Sequence, residues 1–187
     1  MGRSHSGFSL IEVLVALIIL TIGLIGIFNL HLVAKRGSYE SFQQTQAAYL
    51  ASDIISRMKL NRTELTSYAG TYTGGLSAPA VQCDVAVGGN VICDTSQTRL
   101  WDLYQWETLI RGETEMVADN NVGSLDNAQG CILVNPANGE VTVILSWRGI
   151  RTLRDSSGAV DRFGECSFSN SADAAKRRAY AVTTVII

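Results

Sequence analysis

Histidine is almost missing from this chain. Of 187 residues only His5 and His31 are histidines, and none follows position 31. A Ser-His or Cys-His nucleophile is therefore ruled out for everything downstream, and histidine-based metal sites lose their commonest ligand. There is no C-x-x-C pair, no D-x-[DN]-x-[DN]-G loop and no glycine loop of the kind that cradles phosphate. The carboxylates Asp94, Asp102, Glu107, Asp119, Asp126 and Asp161 are dispersed. Basic residues are scattered too: 15 Lys and Arg against 17 Asp and Glu give a net charge of −2. The short runs Lys35-Arg36 and Lys176-Arg177-Arg178 read as a membrane-edge anchor and a solvated loop. No electrostatic footprint for nucleic acid is present. These absences point away from an enzyme, a metal or cofactor site and a nucleic-acid binder.

What the chain has instead is one long stretch without charge. Between Glu12 and Lys35 lie the 22 residues from Val13 to Ala34, none formally charged. About 20 apolar residues span the ~30 Å hydrocarbon core as a helix. A cleaved secretory signal would be shorter and end in a small-residue site, whereas Lys35-Arg36 close this run. An ordinary single-pass anchor accounts for the length but leaves Glu12 as a cost of roughly 2.5–3.5 kcal/mol at mid-bilayer, less near the interface.

The segment Gly7-Phe8-Ser9-Leu10-Ile11-Glu12-Val13-Leu14-Val15-Ala16-Leu17 resembles the processing site of type IV pilins and type II secretion pseudopilins. The resemblance implies that prepilin peptidase removes a leader of residues 1–7, cutting between Gly7 and Phe8, and that Phe8 becomes the N-methylated first residue. Glu12 is then the fifth mature residue, paired during assembly with the N-terminal amine of a neighbouring subunit. Physics agrees: a carboxylate and an ammonium in one apolar layer each require a partner.

Beyond the apolar run, Ala47, Leu50, Ala51, Ile54, Ile55 and Met58 recur at helical spacing. Gln43, Gln44, Gln46, Ser52, Asp53, Arg57 and Lys59 fall largely off that stripe. One helix is predicted over residues 8–61, near 80 Å long at 1.5 Å per residue. Residues 8–34 would form its transmembrane and filament-core half, 35–62 its amphipathic half, and 63–187 a globular head. Gly23 and Gly26, with Thr21 nearby, read either as small residues for close helix packing or as a locally weak helical segment.

In the head, residues 63–97 read as an irregular connection rich in Gly, Ser and Thr. Within it Cys83 to Cys93 is nearly symmetric about Gly88-Gly89, so a small hairpin would bring the two cysteines within disulfide range. That choice leaves Cys131 with Cys166. Four cysteines allow three connectivities, and their confinement to the region past the apolar run indicates an oxidising compartment. A short helix is predicted over residues 98–111, with Trp101, Tyr104 and Trp106 as core aromatics or as a partner patch. Gly130-Cys131-Ile132-Leu133-Val134 and the strand 140–147 flank the turn Asn135-Pro136-Ala137-Asn138-Gly139 as a hairpin. Val141, Val143, Leu145 and Trp147 share one face of it, turned to the helix. Residues 151–178 are polar and aperiodic, with Cys166 and the aromatics Phe163 and Phe168 as their only tethers. Residues 179–187 form a last strand of an antiparallel sheet of three or four strands. The expected class is α+β: a pilin-like lollipop with a long N-terminal helix on a small sheet and disulfides.

A narrower resemblance rests on residues 48–62, from Ala48-Tyr49-Leu50-Ala51 to Arg57-Met58 and Asn61-Arg62, on Asp102-Leu103 and Trp106, and on Val143-Ile144-Leu145-Ser146-Trp147-Arg148-Gly149. These are similar to the PilV family of minor pilins, also called type IV pilus modification proteins. That likeness implies an inner-membrane protein with one span and a periplasmic head, later part of a pilus on the cell surface. It implies a role in priming assembly within a minor-pilin complex at or near the tip, and so in pilus biogenesis, twitching motility and adhesion. The implied partners are other minor pilins, the major pilin, prepilin peptidase and the inner-membrane assembly platform, with no cofactor. A type II secretion minor pseudopilin carries the same leader chemistry on a smaller head, and a membrane-tethered adhesin that never polymerises is the reading outside the class.

Overall fold

The structure is a computed structural model that describes residues 7, 9–83, 92–113, 115–118, 120–121, 123, 125–152, 166 and 174–187. It divides into two compact units, residues 1–41 and residues 42–187. The elements in chain order are α1 (Leu10–Leu60), a 3-10 helix (Arg62–Tyr68), β1 (Gly70–Tyr72), α2 (Thr95–Arg111), β2 (Met116–Val117), β3 (Asn120–Asn121), β4 (Gln129–Asn135), β5 (Glu140–Arg148), a 3-10 turn (Ala174–Lys176) and β6 (Arg177–Val185).

The first unit contributes the uncharged run, which is helical throughout; α1 passes through Gly23 and Gly26 without a break. The second unit holds the core. Its sheet has the order β1-β4-β5-β6, antiparallel at every pairing. The stripe read from the sequence is buried here: Ala47, Ala51, Ile54 and Met58 are fully enclosed, with Leu50 and Ile55 nearly so. Gln43, placed off the stripe, is also buried, and neither end of its amide has a partner among the described residues. The stripe therefore begins one turn earlier than its apolar members show. Asp53 and Arg57, four residues apart and both half-buried, pair at 2.9 Å.

α2 starts three residues before the predicted boundary. Asp94 accepts from the Gln97 N–H at 2.7 Å, and the Gln97 side chain accepts from the Asp94 N–H at 3.1 Å, a reciprocal capping box. Gly112 ends the helix in the left-handed conformation at φ 64°, where a glycine cap is favoured. Trp106 is wholly buried, stacks edge-on against Tyr72 at 5.5 Å, and donates its indole N–H to the Leu50 carbonyl at 2.8 Å.

The β4–β5 hairpin forms around the predicted turn, with Gly139 at φ 69°. Val141, Val143 and Leu145 are fully buried and Trp147 nearly so. The opposite face of β5 is covered as well, because Ile144 packs with Cys131 and Cys166 in a second small core. The disulfides are Cys83–Cys93 and Cys131–Cys166. The apex expected between the first pair falls on residues 84–91, outside the described residues, as do Phe163, Phe168, Asp119 and Asp161.

The irregular connection expected over residues 63–97 is only partly so. Its start is a 3-10 helix followed by β1, whose Gly70, Thr71 and Tyr72 pair with Ile132, Cys131 and Gly130. The strand is only three residues long, too short for period-2 alternation to reveal it. The β2–β3 pair, with Met116 opposite Asn121, was likewise not expected from the sequence.

Candidate processing and assembly site

Among the described residues, the apolar part of α1 is the longest stretch left uncovered. From Leu10 to Val33 its large hydrophobic side chains are between 46% (Leu24) and 79% (Leu10) exposed. An 18-residue window reaches a mean hydropathy of 2.8 with none of it buried. A surface of this kind is stable only against hydrocarbon or against other apolar helices. The one hydroxyl in its middle is internally satisfied, since Thr21 donates to the Ile18 carbonyl at 2.8 Å. At Gly23 and Gly26 an added Cβ would meet nothing within 4 Å, leaving both sites open for another helix to approach closely.

Gly7 is exposed and lies ahead of the first turn of this helix; Phe8 lies outside the described residues. The Ser9 carbonyl accepts from the N–H groups of Glu12 at 3.0 Å and Val13 at 3.3 Å, which starts α1. Glu12 thus sits in the first turn, where the helix dipole favours a negative charge. Its side chain is exposed, and no cation accompanies it among the described contacts. An acid at this place, on an otherwise uncharged apolar rod, can take a cation from a second molecule without first breaking a bond of its own.

The second unit carries two polar clusters that the sequence pattern did not disclose. In one, Arg57 Nη1 donates to Asp102 at 3.2 Å and to Gln105 at 2.7 Å, while Tyr68 donates its hydroxyl to the other Asp102 oxygen at 2.7 Å. Asn61 closes the cluster by donating to Thr95 O at 2.7 Å and Tyr68 Oη at 3.2 Å. In the other, the buried Glu107 carboxylate accepts from the N–H groups of Gly74, Gly75 and Leu76 at 2.6, 3.2 and 2.8 Å. Both fix the loops around α2 and leave their carboxylates occupied, so neither presents a free acid–base pair. Among the described residues no three His, Cys, Asp or Glu side chains gather as metal ligands, and no cysteine is free.

Of the three predicted core aromatics, Trp106 alone is central. Trp101 and Tyr104, with rings 5.7 Å apart, line an open groove of about 400 Å³ together with Arg57, Gln105, Thr108 and Leu109. A signal for the position of α2 was present in the sequence, Asp94 three residues ahead of Gln97. No comparable signal marks Glu107, whose ligands are main-chain groups.

A long apolar N-terminal helix, an antiparallel four-stranded sheet packed on the helical layer and two disulfides together define a pilin-like α+β protein. Residues 2–28 match the prokaryotic N-terminal methylation motif, which supports a protein of the type IV pilin and pseudopilin family. The motif implies processing by prepilin peptidase and membrane assembly with other pilins. Neither a curated protein nor a solved structure matches the chain.

Proposed function

We propose that this chain is a minor pilin of the PilV type, made as an inner-membrane prepilin and consumed in building a type IV pilus. Prepilin peptidase cuts between Gly7 and Phe8 and Phe8 is N-methylated. The apolar half of α1 holds the protein in the bilayer with the second unit in the periplasm, where the disulfides of Cys83, Cys93, Cys131 and Cys166 can form. Assembly moves the same helix from lipid to a bundle of pilin helices, so its apolar surface stays covered throughout. Glu12 draws the N-terminal amine of a neighbour, because leaving either charge alone in that layer is costly. The chain works with other minor pilins at or near the tip, on the assembly platform, to prime growth of the major pilin.

The observation that carries this reading is the methylation motif running without interruption into an uncovered apolar helix that bears one acid, Glu12, in its first turn. The finer assignment to a pilus rather than a secretion filament rests on the PilV-like residues of 48–62 and 143–149. The test is Glu12→Val. The variant is expected in the membrane, cleaved as in wild type, and absent from the sheared filament fraction with piliation reduced. Normal incorporation and normal piliation would overturn the assembly role.

A further inference from the structure

Two titratable side chains bracket the apolar part of α1. Glu12 opens it, and the next such side chain along the helix is His31, followed by Lys35 and Arg36. His31 comes 19 residues after Glu12, which is about 28 Å of helix at 1.5 Å per residue. The hydrocarbon core is ~30 Å thick, and each headgroup layer adds about 5–7 Å. With Glu12 at one edge of the hydrocarbon, His31 stands at the other, and Lys35 is about 6 Å further out. That is the level of the lipid phosphates.

A helix turns about 100° per residue, so Phe28, His31, Lys35 and Tyr39 fall within about 80° of one another on one face. Arg36 points about 100° away from Lys35. Glu40, the first carboxylate after Glu12, stands four residues beyond Arg36 and so on that other side. All four residues of the stripe are exposed, Phe28 at 67% and Tyr39 at 44%. Among the described residues no side chain bonds to or pairs with His31, Lys35 or Arg36. The stripe lies wholly in the first unit, on a helix described at every position.

We propose that His31 and Lys35 hold the phosphate of one anionic phospholipid in the periplasmic leaflet, with Phe28 against its acyl chains. Helical side chains lean toward the N-terminus, so Lys35 reaches back over His31 and the two converge on one group. Lys35 donates through its ammonium and His31 through a ring N–H, both to phosphate oxygens. Tyr39 leans back over Lys35 in the same way and closes the stripe on the water side. Lys35 and Arg36 bring two positive charges to this level with no carboxylate between Glu12 and Glu40, which favours a net negative headgroup over a zwitterion. The inference rests on the reading of α1 as a bilayer anchor. It names what α1 leaves behind on entering a filament: one lipid headgroup.

The test is native mass spectrometry of the full chain released from micelles doped with phosphatidylglycerol or phosphatidylcholine, for wild type, His31→Leu, Lys35→Gln and Arg36→Gln. Wild type is expected to retain one phosphatidylglycerol. His31→Leu and Lys35→Gln are expected to need about tenfold more of it for the same occupancy. Arg36→Gln removes the same charge from another side of the helix and is expected to retain the lipid as wild type does. Equal loss in Lys35→Gln and Arg36→Gln would reduce the effect to net charge and overturn the site. No lipid on wild type, or phosphatidylcholine retained equally well, would overturn it too. Release of the lipid by millimolar inorganic phosphate would assign the site to free phosphate and overturn the lipid. The same spectra give the mass of the chain, so removal of residues 1–7 and methylation of Phe8 are read separately. Failure of the pilin reading is thereby told apart from failure of the lipid site.

Discussion

Trp106 of α2 donates its indole N–H to the main-chain carbonyl of Leu50 in α1 at 2.8 Å. The bond lies in a layer where both residues are buried, so its donor has no water to fall back on. It fixes how α2 lies across α1, and Tyr72 on β1 holds the other side of the ring. The Arg57–Asp102 cluster and the Glu107 clasp hold α2 at further points.

The seating depends on Gly130. A Cβ there would come within 2.6 Å of Trp106 Cη2 and 3.2 Å of Ile110 Cδ1. In a strand whose backbone suits any residue, Gly→Ala ordinarily stabilises by about 0.4–1 kcal/mol. Here the rigid ring opposes it, and Gly130→Ala is expected to destabilise by about 1–3 kcal/mol through overpacking. Chemical unfolding in detergent reads the sign directly; a stabilised variant would show that the ring can move aside.

The buried tyrosines set a basic limit to stability. Burial, opposed by the charge of Arg99 and reinforced by that of Glu107, pushes the Tyr72 hydroxyl up to about 12. Burial and the bond donated to Asp102 push Tyr68 up as well. Unfolded tyrosines ionise near 10. Below that pH both states keep the proton and the contribution is whole; above it the unfolded chain releases protons that the fold retains, and stability falls. The loss is expected to run from about pH 10 to about pH 12. Tyr72→Phe removes one proton from that slope, and at neutral pH costs about 1 kcal/mol for the 2.6 Å bond to Tyr68 O. Unfolding free energies of the two proteins at pH 8 to 11 check it; parallel curves would contradict the assignment.

The Cys131–Cys166 bridge closes 35 residues and lies buried with Ile144, whereas Cys83–Cys93 closes 10 and is half-exposed. In the chain-entropy model their removal costs about 4 and about 3 kcal/mol. Replacing Cys131 and Cys166 together by alanine is expected to be the more damaging change, and mild reductant is expected to open Cys83–Cys93 first. Differential alkylation with peptide mapping decides the order, and reversal of it would contradict the burial argument.

The elements legible in the sequence were those with a period or a punctuation mark. The 3.6-residue stripe of Ala47 to Met58 and the alternation of Val141 to Trp147 each name a buried face. The turn before Gly139 joins β4 to β5, and uncharged length marks the apolar part of α1. Other features depend on partners far along the chain. Gln43 is polar yet enclosed, β1 exists because β4 receives it, and Glu107 is satisfied by three main-chain N–H groups that carry no sequence mark. At the N-terminus the methylation motif was legible for another reason: it is written in consecutive residues, among them Gly7 to Glu12, and needs no tertiary contact to be read.

Cleavage of the bond between Gly7 and Phe8 is the step on which the proposed anchoring and assembly both depend. Mass spectrometry of the protein purified from cells with active prepilin peptidase measures it directly. The predicted result is a mature chain that begins at Phe8 with a methyl group on its amine. A chain retaining residues 1–7, in cells that process their other prepilins, would contradict it.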